Sequence, residues 1–266
     1  MTSTLETALL LAQRCDGYIE GFPLRPLVRD FAGLDPIGAL PMATYEQESQ
    51  EEVIRVRTFF EAFMQERNVP SREETTQGPS WGWLNDAAEG EDFVGSYGRV
   101  FDVIVLGRPV ADTTPFHNRA IEAALFESGR SVLLTPPVAP KAIATNIMVH
   151  WNRSTEQARV TEAAMPLLQR ASRVTVLDVK GGQGVPGPSA DQLIRYFGRS
   201  GISADLVTVG LDGRSTGEAV LRAAVARDCD LLVKGAYTQS RLRQMIFGGA
   251  TSHILRNAEL PVLMAH

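Results

Sequence analysis

Residues 229–235 read Cys-Asp-Leu-Leu-Val-Lys-Gly, and residues 101–107 read Phe-Asp-Val-Ile-Val-Leu-Gly. Asp102 and Asp230 stand 128 positions apart, as do Gly107 and Gly235. Each stretch is an acid, a short apolar run and a glycine, the pattern of a buried strand that ends in a turn. Further out, Ser131-Val132-Leu133-Leu134 matches Pro261-Val262-Leu263-Met264 at an offset of 130. Upstream, residues 8–14 resemble residues 164–170 at an offset of 156, with Arg14 facing Arg170. Self-similarity over such a length implies a duplicated unit.

The offset grows by 28 residues toward the amino terminus, so the first copy carries that much extra chain. The excess falls in residues 25–40 and 70–98, the latter holding Trp81 and Trp83. Those two tryptophans read as a local packing plug. Residues 146–151 open the second copy with a strand, and their counterpart at the larger offset precedes residue 1. The first copy is therefore expected to lack its opening strand, unless the natural chain starts further upstream.

In the second copy, residues 144–151 form an apolar strand, followed by Ser154 as the cap of a helix running to residue 172. Pro166 inside that helix disturbs its hydrogen-bond ladder. Residues 173–179 form a strand, 180–189 a glycine-rich loop, 191–199 a helix and 204–209 a strand. Ser215 and Glu218 have capping-box spacing at the head of a helix reaching residue 227. Strands at 230–234 and 261–265 complete the set. Asp102 and Asp230 read as turn or cap residues. Strands alternating with helices imply a parallel sheet covered on both faces and doubly wound. Its ligands are expected at the carboxyl ends of the strands, in the turns after Trp151 and Lys234.

Composition narrows the function. Apolar residues make up 44% and charged residues 21% of the 266 residues, enough to build a core. A net charge of −5 leaves no basic footprint for nucleic acid. No apolar run approaches the ~18 residues that cross a bilayer. The amino terminus has no basic cluster of a secretory signal, and Cys15 and Cys229 suggest no disulfide framework, so a cytoplasmic protein with both thiols in the core is expected. There is no Gly-x-x-x-x-Gly-Lys-Ser/Thr loop and no Gly-x-Ser-x-Gly elbow. His117, His150, His253 and His266 lack metal spacing and read as satisfied or exposed side chains. Gly181-Gly182-Gln183-Gly184 opens no helix directly and reads as a flexible crossover.

Gly235-Ala236-Tyr237-Thr238 leads, nine residues later, to Gly248-Gly249-Ala250-Thr251, where a helix begins. Free amides and the helix dipole at such a start favour an anion. This stretch resembles the carboxyl-terminal signature of the universal stress protein family. In ATP-binding members of that family the signature is Gly, two residues, Gly, nine residues, Gly and then a small hydroxyl residue. Gly235 and Gly248 match; Thr238 stands at the second glycine and Gly249 at the hydroxyl residue. His150-Trp151-Asn152-Arg153-Ser154 resembles the segment after the first strand, with Asn152 where an Asp commonly meets the nucleotide.

The resemblance covers residues 142–266 well and residues 101–137 and 5–21 more weakly. It implies an α/β fold of two tandem doubly wound parallel-sheet domains, Rossmann-like and adenine nucleotide alpha hydrolase-like, the first lacking its opening strand. The first, over residues 1–140, is a degenerate copy with an insertion; the second, over 141–266, is complete. The resemblance further implies a cytoplasmic stress-response regulator whose second domain binds ATP with Mg2+ and does not hydrolyse it fast. Trp151, Asn152, Val179, Gly235, Thr238, Gly248, Gly249 and Thr251 would form that site. Thr238 and Asn152 weaken the match, since a side chain at Thr238 disfavours a positive φ. The alternative is an interaction or scaffold module of the same fold that has lost its ligand. A protein partner is expected in either case. Residues 261–265 either form a dimer edge or pair within the chain as a pseudo-dimer.

Overall fold

Strand and helix alternate along the chain as the patterning requires. The computed structural model describes residues 1–26, 42–75, 77–109, 115–236 and 249–266. The first copy supplies α1 (Thr2–Cys15), β1 (Tyr18–Gly21), α2 (Met42–Glu66), β2 (Ser80–Trp83), α3 (Glu91–Tyr97), β3 (Val103–Gly107), α4 (Pro115–Glu127) and β4 (Ser131–Thr135). The second supplies β5 (Asn146–His150), α5 (Thr155–Ala163), α6 (Met165–Leu168), β6 (Arg173–Lys180), α7 (Ala190–Arg199), β7 (Asp205–Gly210), α8 (Thr216–Val225), β8 (Leu231–Gly235), α9 (Gly249–Asn257) and β9 (Val262–Ala265).

Strands from both copies enter one sheet of seven, ordered β3-β4-β9-β8-β5-β6-β7. Every pairing is parallel except β4 with β9, which run antiparallel with Leu133 opposite Leu263. Those two leucines are mates of the internal repeat. Arg14 and Arg170, mates at the larger offset, each donate to the other's backbone carbonyl. Reciprocal contacts between equivalent residues are the mark of a two-fold relation. The copies thus meet about an approximate two-fold between β4 and β9.

Alternation within each strand splits the core between the two faces. Met148, Leu232 and Met264 pack on one face with α8 and α9. Ile147, Val149, Leu231, Val233 and Leu263 pack on the other with α5, α6 and α7. The Asp230 carboxylate accepts from the amides of Thr145 and Asn146 at 2.9–3.0 Å, joining the starts of β8 and β5. This is the turn role expected of it; its counterpart Asp102 is exposed.

The helix expected from residue 154 to 172 breaks at Ala164 into α5 and α6, because Pro166 supplies no amide donor. Ser154 caps α5 by accepting from the Gln157 amide at 3.1 Å, and Ser215 caps α8 through the Glu218 amide at 3.2 Å. Such a cap contributes about 1 kcal/mol.

The first copy is divided. β1 and β2 pair in parallel as a separate two-stranded sheet, and among the described residues β3 has β4 as its strand partner. Among the described residues no strand lies at the place that β5 takes in the second copy. Residues 70–98, expected as part of the extra chain, hold β2 and α3. Trp81 and Trp83 of β2 sit against Phe60 of α2, with ring centroids 5.6 and 5.4 Å apart, so they do pack locally, in a third apolar cluster with Leu9. Of the two cysteines placed in the core by the sequence, Cys15 is exposed at the end of α1 and Cys229 is half-buried. No described helix is long and apolar enough to cross a membrane.

Candidate functional site

The chain runs from β5 outward to β6 and β7, then returns to β8 on the other side of β5. Strand order therefore reverses at β5, and the carboxyl ends there are where doubly wound sheets hold ligands. A cleft of about 500 Å³ opens at that end, lined by residues 150–153 from the turn after β5 and 178–186 from the end of β6 and its loop. Ligand pockets typically enclose ~300–1,000 Å³.

The structure brings Trp151, Asn152 and Val179 to this cleft. The Trp151 ring belongs to the core, and its Nε1 donates to the Pro188 carbonyl at 2.8 Å. Asn152 is buried; its Oδ1 accepts from the Ser154 amide at 3.2 Å and its backbone carbonyl from the Val185 amide at 3.1 Å. That turn aims α5 and anchors the loop. Between them Arg153 holds a φ of 70°, a conformation that costs a side-chain-bearing residue roughly 1 kcal/mol or more and recurs at binding sites. Its guanidinium lies 3.6 Å from the Asp178 carboxylate at the cleft.

Gly235, Gly249 and Thr251 are not among the residues lining this cleft, and Thr238 and Gly248 lie outside the described residues. Gly235 is required for packing. Its amide donates to Gln157 Oε1 at 2.7 Å, and a Cβ there would sit 2.5 Å from the Gln157 backbone nitrogen. The close approach is between β8 and α5, where the sequence suggested an approach to a ligand. Gly249 has a φ of 84°, and a Cβ on it would lie 3.1 Å from Gln183 Oε1. Gln183 reaches from the loop after β6 to accept from the Ala250 amide at 3.4 Å, while its own amide donates to Thr216 Oγ1 at 3.2 Å. The loop read as a flexible crossover thus places a carbonyl oxygen on the first turn of α9.

Two further residues escaped the sequence reading as a pair. Lys234 is 3% exposed, and its ammonium donates to the Gly235 carbonyl at 2.7 Å and to Thr251 Oγ1 at 3.0 Å. Burial lowers its pKa from 10.5 to about 8, against a smaller opposing pull from Glu156. His150 is also 3% exposed; it lines the cleft, and its Nδ1 has no hydrogen-bond partner. Burial, with Lys234 adding to it, pushes its pKa from 6.5 down to about 3, so the imidazole is neutral. The reading of His150 as satisfied or exposed is corrected: it is buried with an open nitrogen. Lys234 carried one visible signal, a charge closing an apolar run where its repeat mate is Leu106. Gln157 and Gln183 carried none.

The arrangement offers a buried cation, an open imidazole nitrogen and a helix start, a donor set suited to an anion. Among the described residues no cluster of three His, Cys, Asp or Glu side chains is placed to hold a metal.

Comparison with known proteins places this geometry. Residues 144–266 match the model of the universal stress protein family. No curated protein matches the chain. A universal stress protein from Archaeoglobus fulgidus superposes with a TM-score of 0.69 at 14% identity, covering 100% of this chain and 92% of its own. A functionally unknown protein from Pseudomonas aeruginosa superposes with a TM-score of 0.52 at 16% identity, covering 98% of this chain and 86% of its own. At such identities the likeness is one of fold. Residues 144–266, spanning β5 to β9, are thus similar to the universal stress protein family, and the chain shares the fold of these structures.

Proposed function

We propose that the second copy binds an adenine nucleotide, ATP with Mg2+, and that the protein acts as a nucleotide-responsive regulator in a stress response rather than as an enzyme. The observation that carries this reading is the cleft of about 500 Å³ at the strand-order reversal, which has the size of a nucleotide site and counts among its lining residues His150, whose buried Nδ1 has no hydrogen-bond partner. In this reading the base and ribose lie against Trp151, Asn152 and Val179. The phosphates point toward the start of α9, where Gly249 and Thr251 stand. Magnesium arrives on the phosphates. Bound nucleotide supplies negative charge that the helix start and Arg153 attract.

Phosphate contact with the Ala250 amide requires Gln183 to leave it, so binding carries a switch in the 181–186 loop. A ligand shifts such an equilibrium only by its different affinity for the two loop states. A protein partner would read the loop, and the pairing of β4 with β9 supports the intramolecular version of the pseudo-dimer. Thermal denaturation of the full chain with ATP and Mg2+ tests the reading. At 100 times the dissociation constant, ATP adds ~2.7 kcal/mol of stability. No shift up to millimolar ATP removes it and leaves the second reading, an interaction module without ligand. Gln183 on the α9 start and Asn152 Oδ1 in its turn are the observations that favour that second reading.

A further inference from the structure

The order of elements aligns β1 with β6 and β2 with β7. Each pair runs parallel, and α2 lies between β1 and β2 as α7 lies between β6 and β7. β3 and β8 are repeat mates residue by residue, from Val103 with Leu231 to Gly107 with Gly235. In the second copy β5 stands between β8 and β6 and pairs in parallel with both. In the first copy, among the described residues, the second edge of β3 and the second edge of β1 have no strand partner. Burial records the difference: every residue of β8 is buried, and every residue of β3 is half-buried.

The two open edges lie under the same covers. On one face α1 reaches both strands: Leu9 shares an apolar cluster with Ile19 of β1, and Leu10 and Leu11 share another with Val103 and Val105 of β3. On the other face the Tyr97 hydroxyl, at the end of α3, donates to the Glu20 carboxylate of β1. The next residue, Gly98, lies against the Ile104 side chain of β3. β1 and β3 are thus roofed and floored together, yet they belong to different sheets. Backbone groups along edges that helices shield from water need a partner.

We propose that the gap between β1 and β3 is a strand-docking slot, which takes an extended apolar segment of a partner polypeptide lying parallel to both strands. The molecule itself shows what fits. The equivalent place in the second copy holds β5, whose Ile147 and Val149 face one cover and Met148 the other. A central parallel strand is buried on both faces, so the docked segment is apolar at successive positions over five residues, the length of β5. Main-chain pairing to two edges supplies affinity, and the side-chain pattern selects the segment. Docking is continuous with the contact between the copies, because a strand here joins the two-stranded sheet to the seven-stranded one through β3, β4 and β9. The proposal stands apart from the nucleotide reading, since the slot and the cleft belong to different copies.

A peptide with the sequence of residues 144–152, which carries β5, is the probe. Amide hydrogen exchange of the full chain with and without this peptide tests the proposal, and no variant of the protein is needed. The expected result is slowed exchange in 18–21 and 103–107 with no change in 146–150. Met148→Pro in the peptide is expected to weaken binding roughly tenfold, since proline lacks a donor and does not sit in a central strand. Exchange in β1 and β3 that the peptide leaves unchanged overturns the proposal, and so does equal binding of the proline peptide. Exchange in β1 and β3 of the free monomeric chain as slow as in β6 and β8 overturns it too, because the slot is then closed or filled from within. Slow exchange there that appears only as the free chain self-associates, read by light scattering, puts a second copy in the slot and overturns the assignment to another polypeptide.

Discussion

His150 and Lys234 make stability depend on pH in opposite halves of the scale. Between about pH 3 and 6.5 the unfolded chain holds a proton on His150 that the folded chain refuses. The unfolded state then binds more protons, so stability falls as pH drops through that window, by up to ~1.4 kcal/mol per pH unit. Between about pH 8 and 10.5 the unfolded chain keeps a proton that folded Lys234 has released, so stability rises with pH there. Urea midpoints from pH 4 to 10 are expected to show both slopes. His150→Leu is expected to flatten the first and Lys234→Met the second. Gln183 gives a prediction of the opposite kind. Its carbonyl holds the Ala250 amide in a bond of net worth ~1 kcal/mol, so Gln183→Ala is expected to tighten ATP binding by about fivefold in titration. A weakening on that change would mean that Gln183 holds the ligand instead of competing with it. None of these three roles was legible along the chain. Histidine, lysine and glutamine acquire them only when a neighbour strand or a crossing loop removes their water.

At the scale of elements, the agreement between sequence and structure follows the range of the forces. Ser154 and Ser215 cap α5 and α8 through amides three residues on, and Pro166 interrupts its own helix. Each effect is carried by near neighbours, so each was readable. Gly235 was readable as a glycine that matters and misread as to why. The backbone of α5 passes so close that a methyl group there would press on Gln157. Gly235→Ala is expected to destabilise by ~2 kcal/mol or more, since overfilling a packed interior costs 1–3 kcal/mol. Chemical denaturation measures it; a change under about half a kcal/mol would mean that α5 yields freely. The strand β2 was hidden for a further reason. Ser80-Trp81-Gly82-Trp83 alternates over only four residues, too few to separate a strand from a tryptophan-bearing loop.

The whole molecule turns on β4 and β9. Their antiparallel pairing converts two parallel half-sheets into one and uses an edge that would otherwise invite another chain. Residues 141–266 expressed alone lose β4 and expose β9. That fragment is expected to self-associate, and light scattering after size exclusion should report twice the mass of one fragment chain. A monomeric fragment would show that the β9 edge is protected by other means. In the first copy the place of β5 is empty among the described residues, and β1 and β2 stand apart as their own sheet. The repeat arithmetic led to the expectation that the first copy lacks its opening strand. It did not anticipate the split, because a central strand is what holds its neighbours in one sheet.

What this amino-acid sequence determined unaided is the duplicated unit, the alternation of strand with helix, the helix caps and the Asp230 turn. Those follow from periodicity and from bonds between residues a few positions apart. What only the tertiary structure decided is that the copies share one sheet, that His150 stands beside Lys234, and that Gln183 occupies the start of α9. Those depend on which strand edges meet and which polar groups lose their water, and the partners lie from about 65 to 130 positions apart along the chain. Local patterning constrains no contact over that distance until the hydrophobic faces have packed.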